Sequence, residues 1–181
     1  MKSLHEGLRL QIVDPRDEYT IQSAHALILR RAQEGHVFPR SLDQVKEIAS
    51  RCAAAYLNNE GDVVAFGGIT REYSEDGDPA KPIVAAEYGA MVTASGYERN
   101  GFSSDVTQAV AQHYLANPQQ QQRLAEFLLF AMTHVEGPGR RVFDKLHVPE
   151  IPNSLLPTEA FCCKDEYYNF GLNGLRRERP E

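Results

Sequence analysis

The sequence has 181 residues, 42% of them hydrophobic, which predicts a single domain with one substantial core. Its 25 acidic and 19 basic residues give a formal net charge of −6, which argues against nucleic acid as the main partner because a phosphate backbone requires a basic surface. No window approaches the roughly 18 apolar residues of a membrane helix, and the first residues lack a signal-peptide run, so we expect a cytoplasmic protein with no membrane partner.

The first part of the chain predicts three strands and two helices. Residues 8–13 alternate as a short strand, and a helix with a broad apolar face follows until Gly35 ends it. Ser41 opens the pattern of a capping box, which predicts the start of the second helix. Residues 52–57 and 63–69 then flank a turn-like segment and indicate a β-hairpin.

The rest of the chain predicts a central strand, a helix that follows it and three further elements. Residues 83–93 are nearly all apolar and small except for Glu87, as expected for a strand covered on both faces. A glycine-bearing loop precedes a helical period at residues 106–114. The remaining predicted elements are a strand, a short helix and an edge strand at residues 127–132, 140–146 and 167–172. This order disfavours a doubly wound nucleotide fold and favours an antiparallel first half with one crossover.

The loop of residues 95–103 joins the central strand to its helix. A glycine-bearing turn that enters a helix can place backbone N–H groups and the positive helix end beneath a diphosphate. Both nucleotides and coenzyme A carry such a group.

Residues 86–103 resemble the core strand and phosphate-binding loop of the GNAT superfamily of acyl-CoA-dependent N-acyltransferases. Aligned without gaps, Glu87 falls on the strand glutamate of that family and Gly101 on the central glycine of its (Arg/Gln)-x-x-Gly-x-(Gly/Ala) motif. The resemblance implies an α/β (α+β) fold with a mixed sheet of six to seven strands and about four helices. It also implies that acetyl-CoA or another acyl-CoA is the co-substrate.

The resemblance assigns one segment to the cofactor. The residues concerned are Met91, Val92, Thr93, Arg99, Asn100, Gly101, Phe102, Ser103 and Ser104. Glu98 stands where the family has Arg or Gln, and a carboxylate that faces a diphosphate is unfavourable. Either Arg99 replaces it through a one-residue shift or the cofactor affinity is reduced. Ser103, in place of a small family residue, and Ser104 can cap the helix.

Amine acylation requires a base to accept the proton of the amine, and an acid that protonates the leaving thiolate is optional. Glu87 is the candidate base because a buried strand carboxylate can accept the proton of the amine, the alternative being a structural ion pair or a wet strand face. Phe143 falls where many family members have the tyrosine that protonates the leaving thiolate. Either Tyr88, Tyr167 or Tyr168 serves instead, or the thiolate leaves unaided.

The acceptor is expected to be the amine of a small molecule or an amino acid. Residues 35–45 resemble the first interhelical connection of N-acetylglutamate-synthase-type members, which implies that Arg40 pairs with an acceptor carboxylate; the alternative is an exposed arginine. Thr133 and His134 close a strand near the expected acceptor site, although a lone histidine there is also typical of a surface group.

No cysteine or histidine pattern indicates a metal or a covalent nucleophile. Cys52, Cys162 and Cys163 form no Cys-x-x-Cys pair, and no His/Asp/Glu cluster has ligand spacing, so we expect free thiols, no metal and direct transfer.

Three functions follow from these patterns: an N-acyltransferase, a GNAT-like module that binds acyl-CoA or a partner without turnover, or a structural subunit with the apolar tail 151–161 as its interface. The expected organisation is one domain over residues 1–181, with a core at 8–172, a disordered tail at 173–181 and a homodimer as an alternative to a monomer.

Overall fold

The computed structural model describes residues 7–78, 80–117, 127–134, 138–160 and 167–175. Six strands form one sheet in chain order: β1 Arg9–Ile12, β2 Ala53–Leu57, β3 Val63–Ser74, β4 Ile83–Thr93, β5 Leu128–His134 and β6 Tyr167–Gly171. Four helices lie in this part of the chain: α1 Glu18–Gln33, α2 Leu42–Arg51, α3 Phe102–Leu115 and α4 Gly139–Lys145.

The sheet is mixed. Strand β2 pairs antiparallel with β1 and with β3, β4 pairs parallel with β5, and β6 returns antiparallel to β5. The parallel pair requires a crossover, which α3 provides. The predicted α/β fold with six to seven strands and about four helices is therefore confirmed. None of the described helices has the length and apolar character needed to cross a membrane.

The chain divides into two compact units. Unit 1 comprises the described residues of Met1–Thr70 and Ala90–Val110, and unit 2 those of Arg71–Gly89 and Ala111–Glu181. Strands β3 and β4 each contribute residues to both units.

The core of unit 1 lies between its helices and its strands. Ile21 and Ile28 of α1, Val45 of α2 and Phe66 of β3 are all buried in it. Gly68 has no room for a side chain, since a Cβ there would lie 2.5 Å from the Ile48 Cγ2 atom. Glycine at this position therefore permits the close packing of α2 against β3.

Local capping determines where α1 and α2 begin. The Asp17 carboxylate accepts from the Thr20 backbone N–H at 3.1 Å, and Ser41 and Gln44 form the predicted capping box before α2. Gly35, predicted to end α1, follows that helix with a left-handed φ of 77°.

The apolar tail packs onto the core of unit 2. Leu156 and Ala160 are 9% and 7% exposed and belong to the same cluster as Tyr73 and Phe130. The interpretation of this segment as a subunit interface is therefore wrong for these residues, because a core of their own unit already covers them. Phe161 lies outside the described residues.

Two boundaries differ from the expectation. Strand β3 continues to Ser74 rather than ending near residue 69, because Tyr73 is buried and gives the polar end of the strand an apolar contact. The 3₁₀ turn Leu172–Leu175 is ordered, since the Asn173 amide accepts from Leu129 N at 2.9 Å and donates to Phe127 O at 2.8 Å. Residues 176–181, Cys162 and Cys163 lie outside the described residues.

Candidate functional site

Strand β4 carries the predicted base Glu87 and the predicted cofactor residues 91–93. Among the described residues, its pairing with β5 runs from Ala85 to Tyr88. Ala90 then has a left-handed backbone with φ 51°, a conformation that a residue with a Cβ seldom adopts. The backbone therefore departs from regular extended conformation at Ala90, between Glu87 and residues 91–93.

The side chains of residues 91–93 are engaged within unit 1. Val92 is buried in its core, and the Thr93 Oγ1 atom lies 2.7 Å from Ser103 Oγ. The Met91 sulfur is 3.8 Å from Thr107 Oγ1. Val92 could therefore contact a cofactor only through its backbone.

Three left-handed residues shape the loop that follows. Gly96, Arg99 and Gly101 have φ angles of 86°, 64° and 92°. Left-handed residues in a turn let backbone N–H groups converge on one side, which is the geometry of anion-binding nests. Glycine occupies two of the three positions, as this backbone favours.

The side chain of Asn100 braces the loop from within. Its Nδ2 donates to the carbonyl oxygens of Tyr97 at 3.1 Å and Glu98 at 2.9 Å. The Tyr97 N–H in turn donates to Ala94 O at 3.0 Å. Asn100, predicted to contact the cofactor, thus uses its amide group to hold the loop.

Helix α3 begins at the end of this loop. Phe102 is 1% exposed and packs against the rings of Tyr56 and Tyr97, with centroids 4.8 and 6.2 Å away. Ser103 and Ser104 lie inside the first turn, so the expectation that they cap the helix is wrong, since a capping residue precedes that turn. The backbone N–H groups of Ser103 and Ser104 come before that of Asp105, which donates to Gly101 O at 3.1 Å. They therefore lie at the positive end of the helix.

Glu98, the main departure from the GNAT motif, forms an ion pair with a residue that the sequence did not single out. Arg31 of α1 is 8% exposed, and its two terminal nitrogens lie 2.5 Å from Glu98 Oε1 and 2.5 Å from Glu34 Oε2. The Glu98 carboxylate is thus paired with a buried guanidinium, and the neighbouring Arg99 is exposed to solvent. No local signal links Arg31 to Glu98, because they are 67 residues apart.

In unit 2, Glu87 is hydrogen-bonded to a tyrosine. The Tyr73 hydroxyl donates to Glu87 Oε2 at 3.0 Å, and Glu87 itself is half-buried. Tyr73 is 5% exposed. Burial, and then the Glu87 charge, raises the pKa of Tyr73 well above its usual value. A sequence prediction that extended β3 past residue 69 would have placed Tyr73 on a strand beside β4. The alternation of side chains along that strand would then have made Tyr73 a candidate site residue.

Tyr88, the other predicted catalytic residue, points to the opposite side of β4 from Glu87, because successive side chains alternate along a strand. It is 2% exposed. The two predicted catalytic side chains therefore do not share a face of the sheet.

Phe143 is a core residue of α4. It is 2% exposed and stacks on Phe170, with ring centroids 4.7 Å apart. The candidate acids Tyr167 and Tyr168 lie on β6, where the Arg140 guanidinium covers the Tyr168 ring at 4.2 Å. Phe143 thus contributes packing at the place where the resemblance implied a tyrosine acid.

The predicted acceptor residues lie in different units. Thr133 and His134 end β5 in unit 2; Thr133 is buried, and the exposed His134 meets the edge of the Tyr167 ring at 5.5 Å. Arg40 lies in unit 1, half-buried, directly before the N-cap Ser41 of α2.

No group of three described His, Cys, Asp or Glu residues could hold a metal ion. Burial raises the pKa of the Cys52 thiol to about 12, so this cysteine is unsuited to nucleophilic chemistry near neutral pH.

No protein-family profile matches the sequence, and no curated protein matches it at a significant level. Solved structures do match. A GNAT-family acetyltransferase from Staphylococcus aureus Mu50 has a TM-score of 0.61 and 15% identity, over 91% of this chain and 99% of that one.

Two further matches were solved with ligands. The diaminobutyrate acetyltransferase EctA from Paenibacillus lautus, in complex with L-2,4-diaminobutyric acid and coenzyme A, has a TM-score of 0.56 and 12% identity, over 96% of this chain and 98% of that one. A chain of the NatC complex, bound to Gag peptide and CoA, has a TM-score of 0.58 and 12% identity, over 91% and 95%.

At these identities the similarity concerns the fold. It agrees with the six-stranded mixed sheet and the four helices described above. The chain has the fold of the GNAT-family acetyltransferases.

Proposed function

We propose that this protein is an acyl-CoA-dependent N-acyltransferase that transfers an acetyl or other acyl group to the amine of a small molecule or an amino acid. The observation that carries the proposal is the loop of residues 94–101 with the first turn of α3. It combines left-handed residues at Gly96, Arg99 and Gly101, the positive end of a helix and a Glu98 carboxylate that is paired with Arg31. These features fit a diphosphate.

Each part of the loop has a role in this proposal. Backbone N–H groups near Gly101, Ser103 and Ser104 hold the diphosphate of the acyl-CoA. Backbone groups of residues 91–93 hold the rest of the cofactor. Arg99, on the exposed side of the loop, adds a positive charge. Phe102 anchors the start of α3 through its buried ring.

Glu87 acts as the base. The acceptor nitrogen attacks the thioester carbonyl, the carbon–sulfur bond breaks, and the nitrogen proton passes to the Glu87 carboxylate directly or through water. The thiolate can leave unaided because a thiol pKa of about 8.5 makes it a tolerable leaving group. Tyr88, Tyr167 and Tyr168 are the alternatives for an acid. Arg40, Thr133 and His134 are proposed to contact the acceptor.

The structural neighbours support two acceptor classes. One neighbour is bound to a diamino acid and coenzyme A, and another to a peptide and CoA. We favour the small amine or amino acid, with Arg40 as the group that pairs with its carboxylate. The protein is proposed to act in the cytoplasm as a single functional domain, as a monomer or a homodimer.

Binding can be tested first. Calorimetry with acetyl-CoA should detect one site, and saturation at 100 times the dissociation constant should stabilise the fold by about 2.7 kcal/mol. Arg99→Glu, an exposed charge reversal in the loop, should weaken binding about tenfold. Arg16→Glu makes the same change in net charge outside the loop and should bind as the wild type does. Equal effects of the two variants would contradict binding at this loop.

Turnover is tested by thiol release with acetyl-CoA and a panel of amines, amino acids and short peptides. Glu87→Gln should retain acetyl-CoA binding and lose release by about 100-fold or more. The second candidate, a module that binds acyl-CoA without turnover, is favoured by Phe143, which offers no proton at the position of the family acid. Tight binding without release across the panel would decide for that candidate.

A further inference from the structure

The hydrogen bond between Tyr73 and Glu87 is a candidate for a role in the chemistry. Tyr73 lies on β3 and Glu87 on β4, and the hydroxyl lies 3.0 Å from Glu87 Oε2. Glu87 in turn is in register with Phe130 of β5. These three side chains lie on one face of neighbouring strands within unit 2.

Tyr73 is itself held in place on that face. Its ring packs on Phe130, with centroids 5.9 Å apart, and the Arg71 guanidinium lies 5.0 Å from the ring centre. The ring also belongs to the buried cluster that includes Leu156 and Ala160. A ring fixed on several sides has little rotational freedom, so its hydroxyl has a defined direction.

The hydroxyl remains a donor over the working pH range. Burial and the adjacent Glu87 charge raise the pKa of Tyr73 far above neutral pH, and Arg71 opposes this only in part. Arg71 of β3 lies beside the Tyr73 ring and donates to the carbonyl of Glu159 in the apolar tail at 3.5 Å. On β5, the apolar Phe130 lies opposite Glu87.

We propose that Tyr73 is a positioning residue for the base: its hydroxyl holds Glu87 Oε2 and thereby fixes the direction in which the carboxylate accepts the proton of the acceptor amine. The inference rests on the proposed acyl transfer. A base that keeps one geometry loses less entropy when it meets its substrate, so the bond should act on the chemical step and not on cofactor binding.

The chain provides a matched control. The Tyr114 hydroxyl donates to Glu72 Oε1 at 2.6 Å, and both residues belong to unit 2. Tyr114→Phe removes a tyrosine–glutamate hydrogen bond of the same kind without touching Glu87. Circular dichroism and thermal unfolding should establish that both phenylalanine variants are folded.

The test compares Tyr73→Phe, Glu87→Gln, the double variant and Tyr114→Phe in thiol release and in acetyl-CoA calorimetry. Tyr73→Phe should lower kcat about tenfold and leave the KM of the amine and the Kd of acetyl-CoA within about twofold. In the Glu87→Gln background it should lower kcat less than about twofold further, because the group that it positions is gone. Tyr114→Phe should keep kcat within about twofold.

The outcomes separate the two proposals. Suppose that the wild type releases thiol. If Tyr73→Phe leaves this release unchanged, or lowers it equally in the wild-type and Glu87→Gln backgrounds, the positioning role alone is overturned. A fall in kcat for Tyr114→Phe as large as that for Tyr73→Phe also overturns it, since the loss would then be a general structural effect. Absence of release by the wild type with every amine overturns the proposed function and this inference together.

Discussion

The charge of the loop after β4 depends on Arg31. This residue is 8% exposed, whereas its partners Glu34 and Glu98 have side chains 39% and 44% exposed. A buried guanidinium without a carboxylate partner would be costly, so the pairing with Glu98 satisfies both groups. It also places a positive charge against Glu98, the acidic residue of the loop that we propose for the diphosphate.

Arg31→Met tests this pairing, because methionine keeps an apolar stem of similar length without the charge. We expect a loss of about 1–2 kcal/mol in the free energy of unfolding, measured in urea, and about tenfold weaker acetyl-CoA binding, because the Glu98 carboxylate then has lost its Arg31 partner. Glu34→Gln leaves the Glu98 pair intact and should bind normally. Adding Glu98→Gln to Arg31→Met should restore affinity, and unchanged affinity in Arg31→Met would contradict the role given to the pair.

The thiol of Cys52 provides a second test at the residue scale. Its pKa is raised to about 12 by burial, so almost no thiolate exists at pH 8. Alkylation of the native protein at that pH, followed by peptide mass mapping, should leave Cys52 unmodified, and the same treatment in guanidinium should modify it. Rapid modification under native conditions would show that the thiol is accessible.

At the scale of elements, Tyr56 joins β2 to α3. Its hydroxyl donates to Asp105 Oδ2 at 2.9 Å, and its ring meets Phe102 edge-on. Burial, followed by the bond to Asp105, raises the pKa of Tyr56 to about 12. The same helix contacts β4 through Ser103 and Thr93, so the orientation of the loop between β4 and α3 depends on contacts from both strands.

Tyr56→Phe should lower the free energy of unfolding by about 1 kcal/mol at pH 7. Because the folded-state pKa lies above the unfolded value of about 10, the contribution of the hydroxyl is fully present below pH 10 and declines as pH rises towards 12. Urea unfolding from pH 7 to 11 should therefore show the wild type converging on the variant. Tyr19→Phe, at an exposed tyrosine bonded to Asp62, should stay close to the wild type, and a constant gap between wild type and Tyr56→Phe would contradict the assignment.

For the whole molecule, the division into two units raises the question of cooperativity. The boundary passes through β3 after Thr70 and through β4 after Gly89. Each of these strands therefore has residues in both units. Most small single domains unfold in one all-or-none transition, and the backbone of both strands continues through both units.

We therefore expect one cooperative unfolding transition. Far-UV circular dichroism should coincide with tyrosine fluorescence in a urea titration, and the calorimetric and van't Hoff enthalpies should agree. Acetyl-CoA should move the single transition as a whole. Two separated transitions, only one of which responds to acetyl-CoA, would indicate that the units unfold independently and would contradict the single functional domain that we propose.

Local sequence determined much of the element order. The capping box at Ser41, Gly35 after α1 and the strand Ile83–Thr93 followed by a glycine loop and a helix all depend on residues close together in the chain, and short-range patterns report such features. The resemblance around Glu87 and Gly101 added the GNAT fold, which the strand order and the structural matches confirm.

Only the tertiary structure decided the electrostatic and hydrogen-bond environment of the candidate site. Arg31 meets Glu98 across 67 residues, and Tyr73 meets Glu87 only because β3 continues past its apolar part and lies beside β4. The left-handed conformation of Ala90 has no sequence signal either, since alanine does not favour it. Residue patterns specify local conformation, whereas pairing between distant side chains is fixed by the packing of the strands and helices that carry them.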